Sequence, residues 1–398
     1  MIDKNKMPIA IGVAFVWFTT QFGGGFASGA QLYSYFVKFG IWALLTPVLA
    51  QAFGAFFQWY GLRYAKRHNT YDYRTFTDRF YGDLGTKVRP ILSNLYELVY
   101  LFTICLAPSV AFATGGATLQ ALTGIPYIVC TVIIGLIIFA LAIYGTDIVR
   151  AAASTVSVVI ILGLLVVYIP NIIAQWGTIT ANIGQMAATP APAGPAFWRC
   201  FVYASFQIAS IGLLTQHAEP FKDEHEAKTS MVYGFIVNAL IIFMCTFGLL
   251  SIIGNPDLKT VSIPTLLMVK TGVGASFLTP IISVLIILGA VSTAVNMIAG
   301  VIARFVNAWN KKDASPDVSE KQAKKRTVII AVFFTLLTFA IAQFGLIPLV
   351  NTGYGYLGYL TMLVVVVPFI IHMILTKRGK IDAEYKNKTA QTNNQKLN

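Results

Sequence analysis

The chain reads as an all-α integral membrane protein of about ten transmembrane helices, built as a 5+5 inverted repeat with helices one and six broken. Three observations predict this class. Of the 398 residues, 56% are hydrophobic and only 11% are charged, whereas a soluble domain carries about 25% charged residues. Ten apolar runs approach or exceed the roughly 20 residues that cross a bilayer. The first run holds a glycine triplet near its middle, and the sixth is interrupted by polar residues at the corresponding place.

The spans are expected at Pro8 to Phe36, Ile41 to Tyr64, Pro90 to Leu119, Pro126 to Tyr144 and Val149 to Ile173, then at Ala196 to Thr215, Ser230 to Gly254, Ser276 to Trp309, Val328 to Gln343 and Ile347 to Leu375. They form one transmembrane domain, 1–375, with a first repeat at about 8–173 and a second at about 196–375. The remainder, 376–398, is rich in Asn, Lys and Gln and reads as a disordered cytoplasmic tail. Ala174 to Pro195 reads as an outer loop. Tyr71 to Tyr81 and Ser262 to Val269 are amphipathic and too short to span, so both are expected to lie at the membrane surface. The first apolar run lacks a small-residue cleavage motif and is taken as a span.

Basic residues set the orientation. With both termini in the cytoplasm, inner loops and tails hold 25 of the 29 Lys and Arg residues. Only Lys38, Arg199, Lys259 and Lys270 fall outside. The expected location is the cell (inner) membrane. The net charge of +13 is spread through short loops, which points to lipid and excludes a nucleic-acid partner. Cys105, Cys130, Cys200 and Cys245 are scattered singly in apolar runs and read as packing residues. No HExxH, GxSxG, phosphate loop or metal-ligand cluster occurs. The chain is therefore read as no enzyme, with no organic cofactor. Oligomeric state is open.

Span one carries Thr19-Thr20-Gln21-Phe22-Gly23-Gly24-Gly25-Phe26-Ala27-Ser28-Gly29. Each glycine costs a helix about 1 kcal/mol relative to alanine. The ordinary reading is close packing through small residues, with Gly25 and Gly29 at the right spacing. The stronger reading is local unwinding, which frees carbonyls for a cation and amides for an anionic group. Span six carries Ser205, Gln207, Ser210 and Gly212 at the matching position of the second repeat. A polar helix face is the ordinary reading there. The shared position favours a second break and a common substrate site.

The stretch G-G-G-F-A-S-G-A-Q resembles the G-A-G-F-A-S-G-Q-E-like signature of YkvI-like membrane proteins, which are similar to the amino acid–polyamine–organocation superfamily with the LeuT fold. The chain departs from it at Ala30 and at Leu32, where an acid is usual. The resemblance implies a secondary transporter. It further implies one sodium between span one and span eight, held by the carbonyls of Thr19 and Phe22, the carbonyl of Gly289 and the hydroxyls of Ser292 and Thr293. Proton-coupled relatives place a lysine in span five; this chain offers Ser154, Thr155 and Ser157 there. Phe26 stands where an Asn would support a second sodium, so one ion is expected.

The expected function is sodium-coupled symport of a small organic solute such as an amino acid, by alternating access. Gly23, Gly24, Gly25, Ser28, Ser205, Phe206, Gln207 and Ser210 would form the substrate site, with Tyr100 or Thr103 facing it from span three. Glu97, an ionisable residue inside a span, is a gate or proton-relay candidate; pairing with Arg89 or Arg150 is the plain alternative. The rival readings are a proton-coupled or uncoupled transporter of the same fold, and a channel or non-transporting membrane sensor.

Overall fold

The computed structural model describes residues 8–144, 146–312, 320–379 and 381. Among the described residues the regular elements are helices. Six helices are individually long and apolar enough to cross a bilayer, and two bent pairs reach that length together. Two shorter apolar helices, Ile9–Gln21 and Tyr127–Ile143, account for spans one and four.

Span one is broken twice. Its inner helix, Ile9–Gln21, stops where Phe22 takes φ −93° and ψ 50° and Gly23 turns extended at ψ −176°. One turn follows at Gly24–Ala27. Gly29 then adopts φ 82° and a second short helix, Ala30–Tyr35, begins. A positive φ costs an L-residue about 1–2 kcal/mol, so glycine is the natural choice at Gly29.

Span six runs over Ala193–Ile208, breaks at Ala209 and Ser210, and resumes at Ile211–Leu214. Side chains from other spans satisfy the opened backbone. Gln58 Nε2 of span two donates to the Gln207 carbonyl at 3.4 Å and to Ser210 Oγ at 3.2 Å. The Tyr96 hydroxyl of span three donates to the Ala209 carbonyl at 3.2 Å and accepts from the Gly212 amide at 2.9 Å. This is how an irregular backbone survives at membrane depth.

Spans one, two and seven interlock around Trp17, which is fully buried. A Cβ on Gly234 of span seven would fall 2.5 Å from the Trp17 ring, so only glycine admits it.

One surface assignment is corrected, and two short segments expected as helices are found as helices with partners in the bundle. Within Ala174 to Pro195, residues Trp176–Ala188 form a helix bent 75° from span five. It is tied down where Asn182 Nδ2 donates to the Leu250 carbonyl at 2.8 Å. The outer amphipathic segment is the helix Pro264–Thr271, with Thr265, Leu266, Met268 and Val269 buried. It docks into the second break of span one: the Thr265 amide donates to the Ser28 carbonyl at 3.1 Å, and Thr265 Oγ1 lies 2.9 Å from the Tyr168 hydroxyl of span five. The inner segment is the helix Tyr73–Asp83 and buries Phe76, Phe80 and Tyr81 against the helical bundle. Both segments have protein to cover their apolar faces, so neither rests on lipid alone.

Candidate functional site

The five residues named for a cation line one cavity of about 120 Å³: Thr19 and Phe22 from span one, and Gly289, Ser292 and Thr293 from span eight. That volume exceeds the roughly 10–15 Å³ that one water needs. Thr293 Oγ1 donates to the Gly289 carbonyl at 2.8 Å, and Thr19 Oγ1 donates to the Val16 carbonyl at 2.9 Å. A hydroxyl that gives its proton to a carbonyl keeps its lone pairs free to accept, so Thr293 Oγ1 retains the donor capacity toward a cation that is expected of it. Gly23 closes the arrangement from above, since a Cβ there would meet Thr293 Oγ1 at 3.2 Å.

Thr20, Asn296 and Met297 line the same cavity and were not anticipated. Asn296 was legible in principle: it stands one turn past Ser292 and Thr293 on the same helix. The side chains of Arg150, Ser154, Thr155 and Ser157 lie outside the described residues.

The expected substrate residues fall into separate groups. Gly24 packs against Thr114 of span three and Ala290 of span eight, and Gly25 against Val110. Ser28 Oγ donates to the Gly25 carbonyl at 3.0 Å. On span six, Ser205 is fully buried and its hydroxyl has no hydrogen-bond partner among the described residues. Gln207 Nε2 donates to the Tyr203 hydroxyl at 3.2 Å, and Phe206 stacks on Tyr354 at 4.6 Å. Among the described residues no hydrogen bond joins the Gly23–Ser28 group to the Ser205–Ser210 group. What meets span six is the outer half of span one, where Tyr35 and Phe36 contact Tyr203 with ring centroids at 5.5 and 4.8 Å. Thr103 turns its hydroxyl back to the Val99 carbonyl at 2.8 Å. Tyr100 stacks on Tyr73 of the inner helix at 4.8 Å. It stands ten residues, about 15 Å of helix rise, before Val110 on the same helix.

Glu97 does not pair with Arg89. Its carboxylate bonds the Arg304 guanidinium of span eight. Arg74 Nη1 stands 3.9 Å away, and the Tyr73 hydroxyl donates to Glu97 at 3.2 Å. Arg304 lies over the Tyr73 and Tyr100 rings at 4.7 and 4.5 Å. Arg304 stands on span eight, whose helix runs over Ala275–Lys312, and the ion pair joins that span to span three.

No family model and no curated protein matches the chain, so the YkvI-like likeness stays a resemblance of motif. Among solved structures, the fold is similar to that of a Na+-coupled sialic acid symporter in a substrate-bound, outward-open state. The TM-score is 0.51 at 13% identity over 91% of this chain and 87% of that one. A manganese transporter from Eremococcus coleocola aligns at 14% identity over 91% and 85% of the chains, with a TM-score of 0.46. At such identity the first likeness is one of fold: the chain has the all-α, LeuT-like membrane architecture with its first and sixth helices broken.

Proposed function

We propose that the chain is a secondary active transporter, a sodium-coupled symporter of a small organic solute such as an amino acid, working by alternating access in the cell membrane with both termini cytoplasmic. The 1–375 unit would act as one transport domain made of the two repeats. The observation that carries the reading is the single cavity shared by the break of span one and Gly289, Ser292 and Thr293 of span eight. A cation seated there would bridge two helices whose relative position changes during alternating access, which is how ion binding biases one state over another. The Na+-coupled fold neighbour supports the same reading. Gly23–Ser28 and Ser205–Ser210 would supply the substrate site once the helices move together; the unpartnered Ser205 hydroxyl suits a ligand contact.

The test is solute uptake into proteoliposomes under an inward sodium gradient. Uptake is expected to saturate and to fall when sodium is replaced by potassium. Ser292→Ala with Thr293→Ala should raise the sodium concentration for half-maximal uptake about tenfold or more, which corresponds to about 1.4 kcal/mol. An unchanged sodium response in that variant refutes the site. Uptake indifferent to sodium refutes the coupling.

A further inference from the structure

A second cavity, of about 270 Å³, opens on the outer flank of spans two and seven. Its walls are Ala52, Phe56 and Trp59 from Thr46–His68 and Val232 and Phe235 from Glu224–Leu249; one cation, Lys228, stands at one end. Phe56 and Val232 are nearly half exposed, at 45% and 46%, so the groove faces whatever surrounds the bundle. From Lys228 to Phe235 the helix rises about 10 Å. That is most of the roughly 15 Å depth of one hydrocarbon leaflet.

The charge at its rim is uncompensated. Glu224, one turn before Lys228, is held by Arg63 at 2.9 Å and Arg67 at 2.7 Å. Lys228 is exposed and has no ion pair or hydrogen bond among the described residues. Arg63, paired with Glu224, also lies over the Trp59 ring at 5.6 Å, so Lys228 is the unpaired cation on the groove's described lining. The groove is therefore apolar along its length and cationic at one end.

We propose that this groove is a binding site for one anionic phospholipid, its phosphate at Lys228 and an acyl chain along Ala52, Phe56, Val232 and Phe235. A zwitterionic lipid fits the apolar wall equally well but brings its own cation to the rim. Discrimination thus rests on Lys228. A lysine at a membrane surface favours an anionic headgroup by about 1 kcal/mol, or about fivefold in affinity. The site matters for the fold because spans two and seven also clasp Trp17 of span one, through Gly54 and Gly234. The proposal does not depend on what is transported. With the N-terminus cytoplasmic, the leaflet concerned is the cytoplasmic one.

Trp59 lines the groove and reports its occupant. The purified chain would be placed in phosphatidylcholine nanodiscs and titrated with lipid brominated on one acyl chain, carrying either a phosphatidylglycerol or a phosphatidylcholine headgroup. Quenching assigned to Trp59 by its loss in Trp59→Phe should reach half its extent at an at least fivefold lower fraction of the glycerol lipid. Lys228→Gln should abolish that preference and Lys228→Arg should keep it. Ala52→Leu, which narrows the groove from its exposed wall, should weaken quenching by both lipids. Equal quenching by both headgroups overturns the proposal, because the groove then holds ordinary bulk lipid. A preference that survives Lys228→Gln overturns it as well. So does a stable dimer whose formation shields Trp59, since a second copy would then be the occupant.

Discussion

Gly29 is the residue on which the outer half of span one turns. It has φ 82°, and a Cβ there would sit 2.8 Å from Thr265 Oγ1 and 3.0 Å from the Thr265 amide nitrogen. Backbone nitrogen cannot step aside as a flexible side chain can. Gly29→Ala therefore meets two penalties, about 1–2 kcal/mol for the left-handed backbone and the displacement of Pro264–Thr271 from the break. A thermal-unfolding midpoint in detergent should fall by several degrees. Thr265→Ala, which removes the hydroxyl and leaves Gly29 intact, should cost less, about 1 kcal/mol for one hydrogen bond. A Gly29→Ala midpoint equal to the wild type would show that the second break has no structural role. The glycine triplet betrayed the first break because its helix cost is local. The second break depends on a helix more than 200 residues later in the chain, and nothing in the sequence around Gly29 could report that.

The inner helix Tyr73–Asp83 shows the same limit at the scale of an element. Its amphipathic pattern was legible, but its partner was not. It packs on protein: the Tyr81 hydroxyl donates to the Val364 carbonyl at 2.7 Å, and the Tyr64 hydroxyl donates to Asp83 Oδ2 at 2.6 Å. His372 of span ten, buried to 1% exposure, stands 3.3 Å from the same carboxylate. Asp72 caps the helix by accepting from the Arg74 and Thr75 amides, each at 3.0 Å. Burial pushes the Asp83 carboxyl up, yet hydrogen bonds from His372 and Tyr64 and the charge of Arg79 leave it below its ordinary value. Burial likewise opposes Asp72, and hydrogen bonds from Thr75 and Arg74 outweigh it. Both groups are thus easier to ionise folded than unfolded. Their contribution is fully present above the ordinary carboxylate value of about 3.9 and is lost as pH falls through the lower folded values. Hydrogen exchange of residues 73–83 should be equally slow, after correction for intrinsic rates, at neutral and mildly acidic pH, and should accelerate only below about pH 4. Loss of protection already near pH 6 would contradict the assignment. Asp72→Ala should loosen the helix by about 1 kcal/mol at neutral pH.

Across the whole molecule, two side-chain clusters that differ in kind tie the spans together around the broken helices. One holds the rings of Tyr35, Tyr203, Phe206 and Tyr354, with Arg199 over Tyr35 at 4.6 Å and its Nη2 donating to Asn351 Oδ1 at 3.3 Å. The other is the ion pair of Glu97 with Arg304, braced by the Tyr73–Tyr100 stack. Spans one, six and ten meet in the first cluster and spans three and eight in the second, and only the folded bundle brings Glu97 within reach of Arg304. On the proposed mechanism this ion pair would form the inner gate and would have to open for release, so its strength would set the balance between states. Both partners are about one-quarter exposed, 28% and 26%, and solvent weakens their attraction. Glu97→Gln should then cost about 1–2 kcal/mol, a shift of about 5- to 30-fold toward the inward-open state. Thr20 lines the cavity on the inner helix of span one and can report the opening. In a Cys105→Ser background, Thr20→Cys should react several-fold faster with a membrane-impermeant thiol reagent applied from the cytoplasmic side when Glu97→Gln is added. Sodium should slow the reaction in both backgrounds if the cavity binds the ion. A rate unchanged by Glu97→Gln would mean that the aromatic stack, and not the ion pair, holds the inner end closed.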